Sequence, residues 1–198
     1  MKRNTRFVVV VLGLGLAIPA AAQQAPQTPQ APPTVAAYVR NAYTGNKNNI
    51  VRSAEKVPEE LYGLRPGPQE EVRTFGQHLA HVATFNFLWC SQAKGDKNPN
   101  AGNNLEKTLK TKAEFTKALA DSFAYCDPAY AALTDASGAE VIDITQENGR
   151  QQRQTRMALL IMNLAHNSEL YGNLVTTMRI KSIVPPSSEP RPAQAPRP

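Results

Sequence analysis

The sequence predicts an all-α protein, an antiparallel four-helix bundle with a long fourth helix and Pro-rich, disordered termini. Three observations predict it. Apolar residues recur at three- and four-residue spacing in four long stretches, the period that lays one face of a helix against a core. The stretches are joined by short or moderate links rich in Pro, Gly and Asn, which sets neighbouring helices antiparallel. Roughly 150 of the 198 residues lie between two low-complexity ends, an ordinary length for one domain with one core.

The ends come first. Lys2, Arg3 and Arg6 precede an apolar run over residues 7–18, and Ala20-Ala21-Ala22 gives small residues before Gln23. This is the pattern of a secretory signal peptide over residues 1–22. The run is short of the roughly 20 apolar residues that span a bilayer. The chain is therefore expected to be exported, periplasmic or secreted, with no integral membrane segment after cleavage. Residues 23–34 (QQAPQTPQAPPT) form a Pro/Gln-rich linker with almost nothing to bury. Residues 185–198 (PPSSEPRPAQAPRP) read as a Pro-rich disordered tail, leaving residues 35–184 as the folded domain.

Charge excludes one class of partner. The chain has 22 Lys and Arg against 16 Asp and Glu, and three of the bases but none of the acids lie in residues 1–22. The remaining 19 bases are scattered among the acids. No basic stripe with interleaved aromatics is present, so nucleic acid is not expected as a partner.

The first helix spans Val35 to Lys56, with Val35, Tyr38, Val39, Tyr43, Ile50 and Ala54 at helical spacing, and Pro58 stops it. The second runs from Glu70 to Ala93, with Phe75, Leu79, Val82 and Trp89 in one line and His78, His81, Phe85 and Leu88 in the next; Gly95 ends it. The third covers Leu105 to Tyr125, ending at Asp127-Pro128. A helical turn over Ala129 to Leu133 follows, then a stretch without helical period in which Val141, Ile142 and Ile144 form a short extended piece. The fourth and longest helix is expected over Arg150 to Lys181, with Pro185 closing it. Cys90 and Cys126, in a chain bound for an oxidising compartment, imply a disulfide, the alternative being two buried thiols.

All three histidines fall on helices. His78 and His81, three residues apart, share one face of the second helix, and His166 lies among apolar positions of the fourth. A bundle builds metal sites from facing side chains in this way, and imidazole ligates zinc, nickel or ferrous iron.

Two segments resemble the DinB-like superfamily: EVRTFGQHLAHVATFNFLWCSQAKGDKNP around the second helix and LAHNSELYGNLVTTMRIKSIVPPSS through the fourth. That superfamily closes on His-x-x-x-His-x-Gly-Gln/Asn, an apolar run, Leu/Met-Arg and Val-Pro-Pro. His166, Gly172, Asn173, Met178, Arg179 and Val184-Pro185-Pro186 stand at those places, and the loop VPEELYGLRP is similar to the link after the first helix. The resemblance implies a DinB-like bundle over residues 35–184, with a divalent metal held by three histidines. His81 matches the first ligand and His166 the second. The third falls at position 170, where this chain has Leu170, which ligates nothing.

Three outcomes stay open. His78 could swing in as the third ligand, Glu169 could supply a carboxylate, or the site holds no zinc or nickel and the histidines hydrogen-bond across the bundle. Asn46, Asn49, Asn86, Asn163 and Asn173 are candidates to line a polar pocket nearby. Trp89, Phe85 and Phe87 read first as core. The function expected is an exported module that binds a small molecule or a divalent metal. The alternative is a metal-dependent, thiol-using transferase-type enzyme working through His81 and His166. A third class is an interaction protein tethered by its Pro-rich ends. The resemblance also admits a homodimer.

Overall fold

The structure, a computed structural model, describes residues 33–146 and 149–190. The expected signal peptide (residues 1–22), most of the expected linker (residues 23–32) and residues 191–198 lie outside the described residues. The chain is mostly helical. Helix α1 (Val35–Lys56) starts where Thr34 accepts a hydrogen bond from the Ala37 amide, and it buries Val39, Tyr43, Ile50 and Ala54. Helix α2 (Phe75–Lys94) begins later than the apolar spacing suggests. Thr74 and Gln77 form a capping box there, and two reciprocal bonds to orphan amides fix the first turn more firmly than residues 70–73 can. Gly95, at φ 74°, ends the helix in the left-handed conformation that glycine adopts at least cost.

The predicted third helix is two pieces. A single turn, α3 (Leu105–Thr108), is followed by a break, and α4 (Lys112–Ala131) starts at a second capping box made by Thr111 and Glu114. The expected stop at Asp127-Pro128 does not occur. Pro128 is inside α4, and the residue whose carbonyl loses a donor to it, Ala124, is exposed. Tertiary ties hold the final turn across the proline. Asp127 accepts from the Tyr43 hydroxyl at 2.8 Å and Tyr130 stacks on Tyr43 with centroids 3.6 Å apart.

After a short turn, α5 (Asp135–Gly138), the extended piece is one arm of a hairpin. Strand β1 (Val141–Thr145) pairs antiparallel with β2 (Gln151–Thr155), Ile144 opposite Gln152 and Ile142 opposite Gln154. The fourth predicted helix therefore starts at Arg156, not Arg150: α6 spans Arg156–Ile180 and is capped by Thr155. Residues 151–154 (QQRQ) carry no apolar anchor at helical spacing, and alternation puts Gln152 and Gln154 on the inward face beside Ile144.

The four long helices pack in pairs: α2 lies against α4 and α6, and α1 against the same two. Phe75, Leu79, Phe123, Leu160 and Leu174 fill the core between them. A polar seam crosses it. The Asn167 amide donates to Asn86 Oδ1 at 2.8 Å and to Asn163 Oδ1 at 2.9 Å, and Asn86 donates to Ser122 Oγ at 3.1 Å. The Asn163 amide in turn points at the sulfurs of Cys90 and Cys126, which form a disulfide joining α2 to α4. Buried carboxamides are tolerable here because most of their polar atoms partner one another, with Asn167 Oδ1 left without a hydrogen bond.

Residues 185–189 are ordered against the helices rather than forming the start of a loose tail. They make a 3-10 turn in which Pro186 is buried, and Glu189 pairs with Arg52 and Lys56 of α1.

Candidate functional site

The site is built outward from α2. His81, Phe85 and Trp89 recur every four residues, so one stripe of the helix carries three rings on the side that meets α6. His166 comes from α6 and packs edge-on against all three. Its ring centroid is 5.0 Å from His81, 4.6 Å from Phe85 and 5.0 Å from Trp89. The third contributor was not legible as a site residue. The single turn α3 brings Glu106 to His81, where its Oε1 meets Nδ1 of the imidazole, while Oε2 accepts from Arg73 Nε at 2.7 Å. Exposure falls along Arg73, Glu106 and His81, at 39%, 25% and 14% of the side chain, and half-buried His166 lies against the last of them. Burial alone would raise the Glu106 carboxyl, but the hydrogen bonds from His81 and Arg73 hold it below its ordinary range. Burial lowers the pKa of His166, and the neighbouring His81 lowers it further.

The remaining sequence candidates are placed elsewhere. His78 is buried and its Nδ1 donates to the Thr74 carbonyl at 3.0 Å, one turn back on its own helix. Its pKa is lowered, first by desolvation. Leu170 is 3% exposed and belongs to the apolar core. Glu169 and Asn173 are exposed. Asn163 serves the disulfide, and Asn49 lies half-buried on α1, its carbonyl accepting from Ser53. A side chain at Gly172 would meet nothing within 4 Å, so no close helix approach accounts for that glycine.

Three imidazoles on one divalent ion do not fit these residues. Two histidines face each other, the third is committed to a carbonyl, and both oxygens of Glu106 are engaged. Among the described residues no three His, Cys, Asp or Glu side chains converge as a ligand set.

Beside the ring cluster lies a cavity of about 620 Å³. Phe85, Leu88 and Trp89 of α2 form one wall, Leu159 and Met162 of α6 another, and the inner face of the hairpin closes the third. Trp89 and Phe85 therefore border both His166 and the cavity. Neither His81 nor His166 is among the lining residues. The four-residue spacing of His81, Phe85 and Trp89 was the signal in the sequence that could have found this stripe.

Comparison with known proteins agrees with this architecture. The chain matches the DinB superfamily over residues 42–169. Its fold is similar to that of a DinB-like protein from Bacillus subtilis, 19% identical, with a TM-score of 0.57 over 78% of this chain and 99% of that one. It is also similar to a mycothiol-dependent maleylpyruvate isomerase, 15% identical, with a TM-score of 0.53 over 71% of this chain and 61% of that one. At such identities the likeness concerns the fold alone. No curated protein sequence matches the chain.

Proposed function

The chain belongs to the DinB superfamily, and from that membership we propose that it is an exported four-helix-bundle protein that binds a small molecule beside its His81–His166 pair. One observation carries this reading. The side chains that would complete a three-histidine centre are spent elsewhere, Leu170 in the core and His78 on Thr74, while the ring stripe next to them borders an open cavity. Concave sites of about 300–1,000 Å³ that combine aromatic and apolar walls with polar groups are the usual form of small-molecule sites, and half of the residues lining this one are polar. Export is supported by the disulfide, which persists in oxidising compartments, and by the leader-like residues 1–22. No helix among the described residues is long and apolar enough to cross a membrane. The second reading is a metal-dependent, thiol-using enzyme acting through His81 and His166. It is favoured by the Glu106 carboxylate on His81 Nδ1, an arrangement that also orients metal-binding imidazoles.

The deciding experiment uses untagged protein equilibrated with zinc, nickel and manganese, followed by elemental analysis beside His81→Ala. Metal well below one ion per chain in both proteins is expected. Near-stoichiometric metal that disappears in His81→Ala would overturn the binding reading in favour of the enzyme. A thermal-shift screen then looks for the ligand, since a compound at 100 times its Kd stabilises by about 2.7 kcal/mol.

A further inference from the structure

The chemistry of the cavity narrows its ligand, given that the cavity is a binding site at all. Apart from Thr84, whose hydroxyl donates to the Ala80 carbonyl at 3.0 Å, its polar lining side chains are carboxamides. α2 supplies Gln92, the loop after it Asn98, Asn100 and Asn103, and the hairpin Gln152 and Gln154. Gln146 joins them, donating to Gln152 Oε1 at 2.7 Å. Among the described residues no hydrogen bond engages the side-chain amides of Gln92, Asn103 or Gln154, so their donors and acceptors are free. None of the lining residues carries a charge, although the chain as a whole holds 22 Lys and Arg and 16 Asp and Glu.

Each carboxamide offers both a donor and an acceptor, which is what a hydroxyl group asks for. An ionic ligand would lose hydration here and meet no counter-charge. The Trp89 ring gives an apolar platform in the same space. Carboxamides line the same cavity from three separate elements, α2, the loop and the hairpin. A ring with hydroxyls around its equator and apolar C–H faces meets both features. We infer that this cavity takes a neutral saccharide, one sugar ring stacked on Trp89 and its hydroxyls bonded to Gln92, Asn103 and Gln154.

Trp89 is the single tryptophan of the chain, so intrinsic fluorescence reads the site directly. The experiment titrates the protein with glucose, maltose, cellobiose and N,N′-diacetylchitobiose. Glucuronate, glucose 6-phosphate and cysteine serve as charged and thiol comparisons. Gln154→Leu and Asn103→Leu are tested in parallel, with circular dichroism confirming their fold. The expected result is a saturable change in emission with at least one neutral sugar, weakened about three- to tenfold in each variant by loss of a neutral hydrogen bond. Saturation unaltered in both variants overturns the inference, because the sugar then binds elsewhere. Binding confined to the charged or thiol compounds also overturns it but leaves the ligand-binding reading intact. No response to any neutral sugar overturns it too, and the metal analysis then judges the broader reading separately.

Discussion

Leu170 stands one helical turn beyond His166, and the two side chains live in different surroundings. Leu170 is 3% exposed among apolar residues, whereas His166 is half-buried with its ring against Trp89. Leu170→His is therefore expected to cost about 2–4 kcal/mol without metal, from the lost apolar burial and a polar ring in its place. On the same face of α6 as His166, the new imidazole supplies a third donor, so zinc should recover part of that loss. Melting curves with and without zinc check this. The wild type should show no zinc-dependent rise, and a variant indifferent to zinc would mean that His81 and His166 cannot accept a third partner.

Glu106→Gln removes the charge that engages both His81 and Arg73. The expected cost at pH 7 is about 1 kcal/mol, discounted because the pair is part-exposed. The folded-state pKa of Glu106 is lowered from 4.5, so its contribution is present above that value and is lost as pH falls through the lowered one. Denaturant titrations at pH 7 and near pH 3 should show the gap between wild type and variant narrowing in acid.

His78 and His166 both have pKa values pushed below 6.5 by burial. In the unfolded chain they take up protons near 6.5, before the folded protein does. Stability should therefore be full above about pH 7 and decline as pH drops through 6.5. His78→Gln, which can still donate to the Thr74 carbonyl, should flatten that decline. Equal slopes for wild type and variant between pH 8 and pH 5.5 would assign the effect to other groups.

Reduction of the Cys90–Cys126 bond opens a loop set by a sequence separation of 36. The loss expected from chain entropy is about 3–4 kcal/mol. Chemical denaturation with and without dithiothreitol measures it, and Cys90→Ser/Cys126→Ser should reproduce the reduced form. The sulfurs also face the Asn163 amide, so the double variant tests whether hydroxyls serve that donor as well.

Much of the helical frame was legible because helical period is a local signal. α1 has the bounds its apolar spacing and Pro58 give. The misread boundaries share a cause: polar or tertiary contacts overrode a local rule. Thr74 and Thr111 start their helices through capping boxes, which moved α2 and split the third helix. Pro128 predicts a stop, yet Asp127 and Tyr130 are tied to α1 on both sides of it. The Gln-rich strand β2 has no apolar alternation of its own and is a strand because β1 pairs with it. At the site, His81 and His166 were found by residue type, and they do meet. Glu106 was not, because a carboxylate 25 residues away on a four-residue helix leaves no periodic trace. The hairpin glutamines were missed for the same reason.

The turn after α6 fastens the last described residues to the first helix. Glu189 holds Arg52 and Lys56, and Lys56 also reaches the Val184 carbonyl at 2.8 Å. A pull on the chain beyond residue 190 would thus load the Glu189 ion pairs to α1 first, and next the bonds of Ser188 to Arg179 and Ser187 to Tyr171 on α6. Each ion pair is weak at rest, being exposed to solvent and salt. Together they make the domain's outlet a fuse, whose breaking force should fall as ionic strength rises while the disulfide-joined centre stays whole.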